Sequence, residues 1–485
     1  MSSAIEGLQP DSVWKNFAAI SKIPRGSKEE AAIARYVMDT AKRHGLKADQ
    51  DEYGNVVVRK FAKHGREQVK SLALQGHLDM VCEKNANVKH DFAKDPIEIV
   101  RKGAVLTANG TTLGADNGIA VATNLAIMEN PDLEHGPLEL LFTVDEETGL
   151  TGAANLKPGF LQSRALINLD SEEEGEVFVG CAGGRNTTGT WALEYEKVEP
   201  KYAPYLLTVK GLKGGHSGLD IDQGRGNSIK ILNRVLLALA ELGGRLSTLN
   251  GGNKSNAIPR EAEAELFLPK KKSAESQALV AHFDETIRAE LSSVEPALEI
   301  HLQESTETGK GKVLPPSLQR KVCQTLSAMP HGVVKMSADI SGLVETSTNL
   351  AVVRTEKKAM VVTTSQRSSV GSEMEEICQS VRSLLELGKA SVDQADGYPG
   401  WKPNLESPLL KVARETYHSL FGKEAQVKAV HAGLECGIIG EKFPGMDMVS
   451  FGPTLRGVHS PDECIDIASV DRFWTFLLGI LRNVA

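Results

Sequence analysis

The chain has 485 residues, 41% apolar and 24% charged, enough for about three domains or two large ones, each with a core of its own. Its 55 Lys and Arg against 63 Asp and Glu leave a net charge of −8, with no basic run and only 5% aromatics, which excludes nucleic acid and an anionic membrane as expected partners. Apolar runs stay short of the roughly 18 residues a membrane span needs, and the first 14 residues lack a leader pattern. The 6 cysteines, scattered without C-x-x-C spacing, fit a reduced, cytoplasmic protein.

The first part of the chain alternates helix and strand. Apolar positions Ile33, Tyr36, Val37 and Ala41 predict a helix over 29–44, ended by Gly45. Strands are expected at 55–58, 71–78, 138–144 and 165–169, with a helix over 119–128 stopped by Asn130-Pro131. This alternation is the pattern of an α/β sheet. The middle changes texture. A strand at 206–209 runs into Lys213-Gly214-Gly215-His216-Ser217-Gly218, followed by a helix over 228–242, a strand at 262–268 and a helix over 276–291. Strands at 350–353 and 360–363 and a helix over 374–387 echo it, giving two small α+β halves. The end returns to the first texture, with helices over 409–421 and 470–481 around a strand at 448–451. One α/β domain interrupted by an inserted α+β domain accounts for this order, with boundaries at 1–185, 186–396 and 397–485.

Several polar residues stand where apolar strands end. In Gly76-His77-Leu78-Asp79, residues two apart face the same way, so His77 and Asp79 address one place. A buried His beside a capping Asp is the competing reading. Asp116 and Asn117 in Gly114-Ala115-Asp116-Asn117-Gly118 precede a helix, where such residues commonly cap. Asp145-Glu146-Glu147 follows a buried strand. Asp170 ends another, at the position where α/β sheets open a ligand crevice, and the run Glu172-Glu173-Glu174 reads as a solvent face. His459 lies in a turn near the C-terminus.

Taken together, His77, Asp116, Glu147, Asp170 and His459 make two imidazoles and three carboxylates at strand or helix ends. That donor set suits Zn²⁺, and also Co²⁺ or Mn²⁺. Two metals sharing one carboxylate need about this many ligands, and such a pair polarises a carbonyl and acidifies a trapped water. Asp79 and Glu146 remain for two further tasks: orienting the His77 ligand, and moving the proton of the water.

The ordered set G-H-L-D, G-A-D-N-G, D-E-E-T-G, N-L-D and V-H-S-P resembles the M20 metallopeptidases. The elements G-G-H-S-G, N-A-I-P-R and H-A-G-L-E-C-G resemble their Xaa-His dipeptidase branch (aminoacyl-histidine dipeptidase, peptidase D), related to the carnosinases. The resemblance spans essentially the whole chain. It implies a mixed-sheet α/β catalytic domain with 186–396 as an α+β lid. It implies that Asp116 bridges two divalent metal ions, that His77 and Asp170 hold one and Glu147 and His459 the other, that Asp79 supports His77, and that Glu146 is the general base. A cis peptide between Asp116 and Asn117 also follows from it, as does an oxyanion-stabilising role for His216, against the reading of a turn histidine exposed among glycines. Such a histidine is often supplied across a homodimer. Asn256 and Arg367 are expected to bind substrate, with an exposed surface Arg as the other reading of Arg367, and Glu435 to meet the amino end; His431 is expected to be structural. The implied activity is a cytosolic dipeptidase acting on small peptides with an unblocked N-terminus, of the β-alanyl-histidine type. The alternatives on the same scaffold are an aminotripeptidase, a carboxypeptidase or an N-acyl amino acid deacylase. A non-catalytic metal-binding scaffold is the alternative from another class.

Overall fold

The runs Leu72–His77, Leu138–Thr143 and Ala165–Asn168 are apolar and almost wholly buried, the composition of central parallel strands covered on both faces. Leu72–His77 pairs in parallel with both of the others, with His77 opposite Thr143 and Gln75 opposite Asn168. This register brings the ends of the three strands to one edge of the sheet. The computed structural model describes residues 3–305 and 311–485; the first two residues, and 306–310 inside the expected inserted region, lie outside the described residues.

The described chain divides into two units. The first comprises Met1–Cys181, Trp401–Ala429 and Leu434–Ala485, the second Ala182–Gly400 and Val430–Gly433. The chain thus crosses four residues before the expected 185 and four after the expected 396, and a short return at Val430–Gly433 joins the second unit without any composition signal.

The first unit carries an eight-stranded mixed sheet in the order Lys47–Gln50, Val56–Lys60, Leu138–Thr143, Leu72–His77, Ala165–Asn168, Asp447–Ser450, Glu176–Cys181, Gln426–Val430. Helix Ala115–Glu129 is buried from Asn117 to Met128 on every side, as its Ala-rich, uncharged sequence demands. It packs between helix Asp11–Ile20 and strand Leu72–His77. A smaller sheet pairs Cys464–Asp466 with Val105–Ala108 and so ties down the turn that carries His459. Phe451, Phe473, Phe476 and Tyr417 form an aromatic cluster that seats the terminal helix Ile467–Asn483.

In the second unit the expected pair of α+β halves is corrected to one sheet. Strands Glu299–Glu304, Tyr202–Lys210, Ala262–Pro269 and Arg245–Gly251 meet Val344–Thr355, Ala359–Ser368, Gly183–Ala192 and Ser391–Gln394 through Gly251 opposite Val353. The physical reason is the strand edge: each half alone leaves a row of unpaired backbone groups. The halves also share one core, with Leu207, Val235 and Leu249 from the first and Val353, Val362 and Val381 from the second.

The aromatic cluster generates a stability prediction. Phe473→Ala should cost about 3–5 kcal/mol, the usual loss for a buried ring cut to a methyl. Denaturant unfolding followed by tryptophan fluorescence measures it; a loss within about 0.5 kcal/mol, the scale of a surface substitution, would show that the cluster does not seat the terminal helix.

Candidate metal centre

Each proposed ligand stands at the end of an element whose sequence fixes it there. His77 is the last residue of its strand, and its backbone N–H donates to Asn117 Oδ1 at 3.2 Å. Gly76 makes this approach possible: a Cβ there would lie 2.5 Å from Asn117 Oδ1. Asp116 and Asn117 carry non-helical dihedrals within the first turn of helix Ala115–Glu129, and the peptide between them is cis. Neither residue caps the helix. Asn117 spans two strand ends instead, its Nδ2 donating to Leu169 O at 3.0 Å. Glu146 and Glu147 open a one-turn helix after a left-handed Asp145, so their side chains leave in different directions.

These elements place the five residues around one point. His77 Nε2 lies 3.2 Å from Asp116 Oδ1 and 3.4 Å from Asp170 Oδ1. His459 Nε2 lies 3.1 Å from Asp116 Oδ2 and 2.9 Å from Glu147 Oε2. The two oxygens of Asp116 therefore face two different imidazoles. One potential ligand atom from each of His77, Asp116 and Asp170 falls within 4.8 Å of the others, and the same holds for Asp116, Glu147 and His459. His77, Glu146 and Glu147 form a third such group, so distance alone does not separate the two glutamates. Buried Glu147 Oε1 and Asp170 Oδ1 have no hydrogen-bond partner among the described residues. Carboxylates that converge at this range with unused oxygens require positive charge, and an imidazole and carboxylate donor set fits divalent cations.

Asp79 is fully buried. It sits 3.3 Å from His77 Nδ1 and accepts the backbone N–H of Glu146 at 3.0 Å and of Glu147 at 3.2 Å, and the Ser27 hydroxyl at 2.8 Å. Burial works against its charge, but His77 and these donors prevail and hold the carboxyl down to about 2. Burial also acts on Glu146, with Asp170, Glu435 and Glu147 adding to it and His77 opposing, and lifts that carboxyl well above its usual range. Asp170 rises to about 6 through burial, with the charges of Asp116 and Glu147 adding against His77.

Glu435 also lies in this unit, fully buried. Its Oε2 receives Gln75 Nε2 at 2.5 Å and the Thr143 hydroxyl at 2.8 Å. Gln75 in turn receives Asn168 Nδ2 at 2.6 Å. Gln75, Thr143 and Asn168 form a polar layer at the strand ends, with Thr143 opposite His77 and Gln75 opposite Asn168. The glutamate run is only in part the solvent face expected from sequence. Glu173 pairs with Arg456 and Glu174 with Arg472 and Tyr417. Glu172 is half-buried, and burial together with Asp116 and Asp170 pushes it up to about 8.

His216, Asn256 and Arg367 gather in the second unit. The short strand Gly215–His216 pairs with Ala257–Ile258, and Asn256 and His216 line one cleft of about 1240 Å³. His216 Nδ1 accepts backbone N–H groups from Gly218 at 3.3 Å and Leu219 at 3.1 Å. Arg367 is buried rather than an exposed surface residue; its Nη1 donates to Tyr398 Oη at 3.0 Å and its Nη2 stands 3.5 Å from His216 Nε2. Burial and the Arg367 charge lower His216 to about 4. His431 Nε2 meets the Ser347 hydroxyl at 2.7 Å.

Sequence reasoning passed over Arg25, Glu463, Tyr398 and the polar layer. A signal existed for the layer: Gln75 and Asn168 are polar residues inside apolar strands, two positions before His77 and Asp170.

Residues 73–483 match the family model described as peptidase family M20/M25/M40. Over 483 residues the chain is 42% identical to the cytosol non-specific dipeptidase of Escherichia coli (strain K12), covering 99% of each. Aminoacylhistidine dipeptidase from Vibrio alginolyticus has a similar structure, with a TM-score of 0.92 and 40% identity over 100% of this chain and 98% of that one. A tripeptidase from Staphylococcus aureus subsp. aureus Mu50 shares the fold, with a TM-score of 0.58 at 16% identity over 98% of this chain and 99% of that one.

The geometry predicts different costs for two carboxylates. Asp116→Ala should weaken cation binding at both groups, because each uses one of its oxygens. Asp79→Ala should weaken one equivalent, by about 10–100-fold, because it acts through His77. Calorimetric titration of chelator-stripped protein with Zn²⁺ measures both; two normal equivalents in Asp116→Ala would refute the site.

Proposed function

Since the chain belongs to peptidase family M20/M25/M40, we propose that it is a dinuclear-metal dipeptidase acting on small peptides with a free N-terminus, Xaa-His dipeptides of the β-alanyl-histidine type among them. The observation that carries this reading is the single carboxylate of Asp116 set between His77 and His459. The near full-length relatives, one named a non-specific dipeptidase and one an aminoacylhistidine dipeptidase, support the substrate class.

In this reading His77, Asp116 and Asp170 hold one cation, and Asp116, Glu147 and His459 hold the other, with Zn²⁺ the first candidate and Co²⁺ or Mn²⁺ compatible. When bound, such a pair polarises the scissile carbonyl and acidifies a water. Glu146 takes the proton of the attacking water and returns it to the leaving amine, a task that suits a carboxyl held above its usual range. Asp79, 3.3 Å from Nδ1 of His77, favours the ring orientation that turns Nε2 toward Asp116. The inserted unit is the proposed lid. Its His216 keeps Nδ1 occupied as an acceptor, which leaves the proton on Nε2 as a donor for the tetrahedral oxyanion. Arg367 and Asn256 are the proposed anchors of the peptide's carboxyl end. Glu435 is the proposed partner of the peptide's amino end; its Oε1 has no hydrogen-bond partner among the described residues.

The Escherichia coli relative's name supports a cytoplasmic location, and no described helix is long and apolar enough to cross a membrane. A homodimer is proposed as well. The strand Gly332–Met336 leaves Val333, Val334 and Met336 exposed at a sheet edge that a second copy would cover.

The test is metal content together with hydrolysis of a peptide panel, with and without chelator. Carnosine-like and other dipeptides should be cleaved, and chelation should abolish cleavage. Preference for tripeptides or for N-acetylated amino acids would replace the dipeptidase reading. No turnover of any of these by metal-loaded protein would favour a binding scaffold.

Two variants probe the mechanism. Glu146→Ala should abolish hydrolysis while both cations stay bound; a lost equivalent would mean that Glu146 and Glu147 exchange roles. His216→Ala should lower kcat by about 10²–10³, the usual value of an oxyanion donor, with cation content unchanged. Mixed dimers of the two variants should recover activity if His216 serves the partner subunit's site, and stay inactive if it serves its own.

A further inference from the structure

The turn that carries His459 continues to Glu463, a carboxylate that is only 2% exposed. Glu463 accepts four consecutive backbone N–H groups. Oε2 takes those of Leu113 at 2.7 Å and Gly114 at 2.9 Å, and Oε1 those of Ala115 at 2.7 Å and Asp116 at 3.2 Å. The first N–H groups of any helix lack intrahelical acceptors. In helix Ala115–Glu129 the preceding Gly114 offers no side-chain cap, and a residue nearly 350 positions away in sequence takes that part.

The same peptides are gripped from their carbonyl side. Arg25, also 2% exposed, donates Nη2 to Gly114 O and Nη1 to Leu78 O at 3.0 Å and Asp79 O at 2.9 Å. It thus ties the peptide leading into Asp116 to the peptides that follow His77. The two glycines of G-A-D-N-G make room for it: a Cβ at Gly114 or Gly118 would come within 2.6 or 2.5 Å of Arg25 Nη2.

We propose that Glu463 is a positioning residue for the cation pair, holding the Asp116 carboxylate between His77 and His459 through the four N–H groups that lead into it, with Arg25 as its counterpart on the carbonyl side. The proposal rests on the metal-site reading above. Only an ionised carboxylate has acceptor capacity for four donors; an amide at this position offers one oxygen and turns its own N–H groups against two of them. Because Asp116 belongs to both ligand groups, loosening it should weaken both cations together, unlike loss of Asp79. Substrate contacts lie elsewhere, so the Michaelis constant should stay in place.

The test is Glu463→Gln in the full chain, stripped with chelator and titrated with Co²⁺ by calorimetry and visible absorption. Both Co²⁺ equivalents should weaken about 10–100-fold, the usual cost of losing an outer partner of a ligand, and the absorption band should change shape at saturation. At saturating Co²⁺, kcat should fall by a similar factor, while KM moves less than about twofold. If Glu463→Gln does not fold, Arg25→Lys, which keeps the charge but not the fork, goes through the same titration with a smaller parallel weakening expected. A folded variant with unchanged affinities and spectrum overturns the proposal even if its melting temperature drops, and so does weakening of one equivalent alone. If the unaltered protein binds no Co²⁺, the metal-site reading fails and the proposal with it; two normal equivalents in both proteins remove the proposal alone.

Discussion

Negative charge gathered in a low-dielectric place is the constraint on which the rest of the first unit depends. Asp116, Asp170 and Glu147 converge at the ends of three elements, and Asp79, Glu146 and Glu435 lie close behind. Water screens such a cluster poorly once it is half-buried. Positive charge must hold it together, and the surroundings are built to fix where that charge goes. Parallel pairing brings the strand ends to one edge. The non-helical turn at Asp116 and Asn117 faces two carboxylate oxygens in two directions. The small sheet clips the His459 turn to the same place from the far end of the chain.

At this edge the support is polar rather than apolar. Gln75, Thr143 and Asn168 stand beside the ligand-bearing ends, Thr143 opposite His77 and Gln75 opposite Asn168, in strands that are otherwise hydrophobic. Buried polar groups are tolerable only when their hydrogen bonds are made. Here they are made to one another and to Glu435, and Asn168 Oδ1 also receives the backbone N–H of Asp170 at 3.3 Å. A network of this kind costs more to deform than an oily layer, because each displacement strands a donor or an acceptor. Burial pushes Glu435 up to about 7, with Asp170 and Asp79 adding to the rise and His77 and the Thr143 hydroxyl opposing it, so its charge is sensitive to what occupies the site above.

Much of this was legible in the sequence wherever a local rule fixes the answer. The helix at Ala31–Arg43 follows from its apolar spacing, and the central strands from short β-rich runs bounded by turns. His77 and Asp79 could be paired from the two-residue period alone. What escaped was set by contacts distant in sequence. Arg25 is one arginine among many until three carbonyls are seen to surround it. Glu463 looks like a surface acid in Pro461-Asp462-Glu463 until the start of a helix more than 300 residues earlier is laid against it. The glutamate run read as a solvent face because its partners Arg456, Arg472 and Tyr417 come from the C-terminal part of the chain. The joining of two α+β halves into one sheet rests on an edge contact at Gly251 and Val353, where no local pattern distinguishes a paired edge from a free one.

The histidines of the two units show how environment divides one side chain into two roles. Hydrogen bonds donated to Asp116 and Glu147 raise His459 to about 11, and the carboxylates around His77 override its burial and raise it too. An imidazole in such a field attracts cations, first a proton and then a metal ion that displaces it. In the second unit burial acts first and Arg367 adds to it, taking His216 to about 4 and His431 to about 3. Those rings stay neutral throughout the physiological range, and a neutral ring has one donor and one acceptor. The backbone of Gly218 and Leu219 claims the acceptor of His216, so its Nε2–H stands 3.5 Å from Arg367 Nη2, and two donors face each other. Donors that converge without an acceptor call for an anion, just as the carboxylates of the first unit call for a cation. On the function proposed above, the anion that such a space would take is a peptide carbonyl oxygen, which becomes negative only as hydrolysis proceeds.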